Sequence, residues 1–88
     1  MTEAQVREAV KKYREKLSHI YQAKRFNPDS KPIYSWEQLD HVLWMLDLTE
    51  HFLDNMKTEK VFRWLGFIQG VLWSEGMYTI NEIKEHNQ

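Results

Sequence analysis

The sequence predicts an all-α fold, a small bundle of three long helices plus a short C-terminal helix, in a single helical domain covering residues 1–88. Three observations predict it. Apolar residues recur at steps of three and four, never at the strict alternation a strand would need. Thr2 with Gln5, Ser35 with Gln38 and Thr79 with Glu82 each offer a capping box at the head of an apolar-periodic run. With 88 residues, the chain has room for one domain and no more.

Val6, Val10, Tyr13, Leu17 and Ile20 fall on one face of the first helix, which opens at the Thr2–Gln5 box and is expected to run from 3 to about 25. The loop FNPDSKPIYS ends it, because Pro28 and Pro32 cannot continue a helical ladder. Helix two is expected to begin at Trp36, after the Ser35–Gln38 box and a hydrophobic staple of Tyr34 with Leu39, and to run to about Asn55. Its inward face reads Leu39, Val42, Leu43, Leu46, Thr49, Leu53 and Met56. Thr58 is the expected N-cap of helix three, and Gly76 closes that helix from the left-handed region that most side chains avoid. Thr79 and Glu82, with Tyr78 and Ile83 as staple, open the last short helix.

Composition excludes several classes. Hydrophobic residues make up 42% of the chain and aromatic residues 14%, enough for a core and too much for a disordered segment. The net charge of -1 supplies no global field for nucleic acid or an acidic membrane. With no cysteine there is no disulfide and no thiolate metal site. The charged opening MTEAQVREAVKKYREK lacks the apolar stretch of a signal peptide, and no run approaches the ~20 apolar residues of a membrane span. A cytoplasmic protein is expected. Charge also sorts by helix: residues 1–31 sum to +4, while residues 36–55 carry Glu37, Asp40, Asp47, Glu50 and Asp54 with no Lys or Arg. Helices one and two are therefore expected to lie antiparallel with these flanks together.

Helix three is the unusual element. Val61, Trp64, Leu65, Ile68, Val71 and Leu72 make a full core stripe, yet Phe62, Phe67 and Trp73 add aromatic surface elsewhere, leaving Arg63, Ser74 and an edge with Gln69 polar. A helix apolar nearly all round is either central or covers a second surface in a partner, and so small a chain favours a homo-oligomer. Gly66 and Gly70, four apart, each cost about 1 kcal/mol of helix propensity. Close helix packing is the expected reason, with a flat floor for a ligand ring as the alternative.

Helix two offers Asp40, Asp47 and Asp54 at seven-residue steps, near His41, His51 and Glu37, a pattern that could hold a divalent cation. The stronger expectation is a solvated acidic face turned to helix one, with no metal site and no cofactor. Arg7, Lys11, Arg14 and Arg25 are expected along a basic flank that neutralises helix two rather than binding nucleic acid. His19 and His86 read as surface residues near helix ends, and no nucleophile set has motif context.

The stretch RWLGFIQGVLWSEGMYTINEIKEHN, Arg63 to Asn87, resembles the C-terminal segment of small uncharacterised proteins of tailed bacteriophages and prophages. The resemblance covers about 25 of the 88 residues. It implies a phage accessory protein acting in the host bacterial cytosol, where such proteins bind and block a host protein, defence proteins included. The expected function is non-enzymatic binding through an aromatic helical surface of Phe62, Arg63, Trp64, Trp73 and Tyr78. The alternative is an oligomeric sponge that sequesters a cyclic nucleotide at a subunit boundary, with Arg63 and Lys60 on phosphate and an aromatic ring on the base. A metal-dependent nucleotide hydrolase ranks third.

Overall fold

The computed structural model describes every residue, Met1–Gln88, as four helices and no strand. They are α1 (Glu3–Leu17), α2 (Ser35–Asp54), α3 (Thr58–Ser74) and α4 (Ile80–His86). α2 is the middle element and packs against both α1 and α3. The core is continuous across all three: Val6, Val10, Tyr13 and Leu17 from α1 meet Leu39, Val42 and Leu46 of α2 and Val61, Leu65, Ile68 and Leu72 of α3. Each large apolar side chain so enclosed contributes roughly 1.5–3 kcal/mol. α4 is different, because none of its residues is buried.

The antiparallel pairing of α1 and α2 is written in charge. Arg7, near the start of α1, bonds Asp54 at the end of α2, and Arg14 meets Asp47 at 3.2 Å and Glu50 at 3.5 Å. These side chains are well exposed, so each pair is worth at most about 1 kcal/mol and fixes register more than it holds the fold. No helix is long and apolar enough to cross a membrane.

Helix one stops eight residues before the expected end. The amides of Ile20 and Tyr21 both turn back to the carbonyl of Leu17, and the chain then runs extended beside α2. Acceptors on α2 draw it there: the Gln22 amide donates to Asp40 Oδ1 at 3.1 Å, Lys24 to the Asp40 carbonyl at 3.2 Å, and Phe26 to His41 Nδ1 at 3.0 Å. Three backbone donors are thereby satisfied without a helix, and Ile20, expected to face inward, is 73% exposed. Arg25 consequently leaves the basic flank of α1 and lies 5.7 Å from the Trp44 ring.

Capping agrees at two of the three boxes. Thr2–Gln5 and Thr79–Glu82 are both reciprocal boxes. At α2 the cap slides back by one residue: Tyr34 is the N-cap, and Glu37 Oε1 accepts from the amides of both Ile33 and Tyr34 at 2.9 Å. A carboxylate reaches two amides where Gln38 would reach one. Tyr34 does not staple to Leu39; its ring stacks on Trp36 in solvent at 6.1 Å while Leu39 is buried. Met56 also departs from the expected inward face, being 87% exposed with φ 59° just past the end of α2. α3 then begins at Thr58 itself, after a Lys57 N-cap without a side-chain bond, and Gly76 closes it at φ 73° as expected.

Candidate functional site

The buried side of α3 is Val61, Leu65, Ile68, Gln69 and Leu72. The opposite side carries Phe62, Phe67 and Trp73, which are 42, 56 and 51% exposed, together with Arg63, Gly66, Gly70 and Ser74. A Cβ built on Gly66 or Gly70 meets no atom within 4 Å. The expected close helix packing at these glycines is therefore not made within the chain, and the furrow between the flanking rings is open. Half-exposed aromatic rings beside bare helix backbone form an apolar surface of the kind that marks interaction sites.

The other residues expected on this surface are turned inward. Trp64 packs edge-on against Phe52 at 5.0 Å and against Trp44 at 5.9 Å. Lys60 lies across the same cluster, its ammonium 4.2 Å from the Phe52 ring and 5.5 Å from Trp64. Tyr78 packs on Tyr13 at 5.4 Å and meets His86 edge-on at 4.9 Å, with Lys16 over its ring at 4.5 Å. Of the six expected binding residues, Phe62, Arg63 and Trp73 thus face outward, whereas Trp64, Lys60 and Tyr78 serve the fold. Arg63 reaches Glu59 only at 4.0 Å and keeps 70% of its side chain exposed.

A buried polar cluster joins α1, α3 and α4. Gln69 Nε2 donates to the Tyr13 hydroxyl at 3.1 Å and to Asn87 Oδ1 at 2.6 Å, and Asn87 Nδ2 returns a bond to Gln69 Oε1 at 3.1 Å. The Tyr13 hydroxyl is also hydrogen-bonded to His86 Nδ1, at 2.8 Å. Burial, and secondarily Lys12, holds His86 below the ordinary histidine value against the pull of Glu82 and Glu85. Burial likewise pushes the Tyr13 hydroxyl up, against its bond from Gln69. His86, expected at the surface, is half-buried, and Gln69, expected on a polar edge, is buried. No buried side-chain polar atom lacks a partner, so the cluster is complete and works as a clamp.

The acidic face of α2 is spoken for. Asp54, Asp47 and Glu50 meet Arg7 and Arg14, Asp40 accepts a backbone amide, and Glu37 caps its helix. No group of three or more His, Asp and Glu side chains is placed to hold a metal ion. His41, bonded by the Phe26 amide, is held below the ordinary histidine value by burial and by Arg25. It lines a cleft of about 260 Å³ with Phe26, Pro28, Pro32, Phe67 and Val71, so one edge of the α3 surface continues into a recess.

No protein-family profile matches the sequence, and neither a curated protein nor a solved structure matches it.

Proposed function

We propose that this chain is a non-enzymatic binding protein that docks a protein partner on the outward face of α3. The observation that carries the reading is the pairing of half-exposed Phe62, Phe67 and Trp73 with the open backbone of Gly66 and Gly70. Two glycines in mid-helix weaken α3, and no contact inside the chain offsets that loss. Trp and Arg residues dominate the energy of protein interfaces, and this face presents a half-exposed Trp73 and a largely exposed Arg63. The resemblance of residues 63–87 to phage accessory proteins directs the search for an external target to the bacterial cytosol, with blockade of a host protein as the consequence of docking.

The nucleotide-sponge reading is less well supported. Lys57, Lys60 and Arg63 gather near the start of α3, but Trp64, the ring that would stack a base there, is committed to Phe52 and Trp44. A hydrolase draws no support from α2, whose carboxylates are already engaged.

The test is capture from a bacterial lysate by immobilised wild-type protein beside Trp73→Ala and Phe62→Ser, both changes at exposed positions. A specific target should be lost with Trp73→Ala, its affinity falling about 30-fold if this ring is a hot spot worth about 2 kcal/mol. Identical capture by all three proteins, with unchanged helical content, would refute docking through this face.

A further inference from the structure

The outward face of α3 is self-complementary. At about 100° and 1.5 Å per residue, Phe62 and Trp73 share one flank, about 16 Å apart along the axis, and Phe67 stands midway between them on the other flank. Gly66 and Gly70 lie in the furrow between the flanks. We infer that the face is covered by a second copy of this chain, its α3 antiparallel to the first, with the two-fold axis crossing the face at the level of Phe67. The inference rests on the docking reading above and puts a second copy, in place of a host target, on this face.

Symmetry does the matching. An antiparallel two-fold pair brings like flanks of the two helices together. Phe62 of one copy then comes level with Trp73 of the other, twice over, while the two Phe67 rings meet on the opposite flank. Gly66 comes level with Gly70 of the second copy, where bare backbone permits close approach. A parallel pair instead sets Phe67 against the Phe62–Trp73 flank roughly 8 Å out of step, and leaves no ring facing a ring.

Charge chooses the same arrangement. The start of α3 carries Lys57 at its N-cap and Lys60 in its first turn, followed by Arg63, against Glu59 alone, and its last turn before Glu75 has no basic residue. Cations at a helix N-terminus oppose the macrodipole, so the charges are misplaced for an isolated α3. Set antiparallel, each cationic start lies beside the negative end of the neighbouring helix. In a parallel pair the cationic ends would coincide.

Area sets the strength. Three half-exposed rings offer on the order of 300 Å² per copy, against about 800 Å² per partner in a stable interface. The dimer should accordingly dissociate on dilution.

The experiment is sedimentation of the wild-type chain from micromolar concentration to about 1 mM, the range of weak specific contacts, beside Gly70→Leu. Nothing lies within 4 Å of the added Cβ, so the variant keeps its fold, shown by circular dichroism, while its side chain fills the furrow. The expected result is a reversible rise from 10.7 kDa to twice that mass, with dimer affinity lowered more than tenfold in Gly70→Leu. Orientation is read from single cysteines in a chain that has none. Under mild oxidation Phe67→Cys should cross-link to itself and Ser74→Cys should not, because only positions near the axis face their own copies. A wild-type chain that stays at 10.7 kDa throughout, a Gly70→Leu dimer as tight as wild type, or equal cross-linking at both cysteines would overturn the inference. A monomer that still captures a target through Trp73 would sink the second copy alone; a monomer whose capture ignores Trp73 would sink both readings.

Discussion

The α1–α2 flank and the outward face of α3 deal with their surroundings in opposite ways. Along the first, Arg7 and Arg14 find Asp54, Asp47 and Glu50 within the same chain. Along the second, three rings stay half-exposed, and a side chain added at either glycine would meet nothing within the chain. The lesson is that exposure alone does not mark a surface for docking. The α1–α2 flank is equally wet, but its two arginines already have carboxylate partners, whereas the α3 face spends helix propensity on glycines with no internal return.

The sharpest break of this comparison lies between adjacent residues of α3. Ile68→Ala, at a position with no exposure, should cost about 2–5 kcal/mol in urea denaturation, while Phe67→Ala next to it should change monomer stability by no more than about 0.5 kcal/mol. Equal losses at the two positions would mean that the outward face is structural. Next comes the clamp. Gln69→Ala leaves the Tyr13 hydroxyl and Asn87 short of partners and should cost about 1–3 kcal/mol by the same measurement; a neutral result would remove the clamp as a stabilising device.

The histidines give a smaller, pH-dependent effect. His86 and His41 both titrate below the ordinary value in the folded chain, so between that lowered value and about 6.5 the unfolded chain holds more protons. Their contribution to stability is therefore complete above about pH 6.5 and is lost as pH falls through the folded value. His86→Gln should flatten part of that slope between about pH 7 and 5, and an unaltered slope would clear His86 of the role. The smallest effect belongs to the matched flank: Arg14→Ala should cost less than about 1 kcal/mol, and less still in high salt. A larger, salt-independent loss would show that Arg14 holds α2 by packing.

The sequence made the helices legible because each signal was local. A step of three or four residues, a Thr with Glu or Gln three on, and a glycine at φ 73° are all settled within one or two turns. Helix one was over-extended because its true end depends on Asp40 and His41, acceptors far along the chain that draw the amides of Gln22, Lys24 and Phe26 away from a helical ladder. The α3 face was half legible. Rings on every side of a helix reveal a surplus, but whether Trp64 or Trp73 is the surplus depends on where Trp44 and Phe52 stand. The clamp depends likewise on distant partners, although a sign was present: Tyr13 lies within an otherwise apolar stripe, and Gln69 borders another. Polar atoms at such positions must find partners, and here the partners come from the last residues of the chain.

That arrangement also sets an order in time. The Tyr13–His86 bond spans 73 residues, and α4 brings no buried side chain of its own to hold the contact. Once α1 and α3 are packed, only this polar cluster and the ring contacts of His86 with Tyr13 and Tyr78 hold α4 in place. α4 should accordingly be the last element to dock during folding and the first to lift in the native state, with its amides exchanging hydrogen well before those of α2.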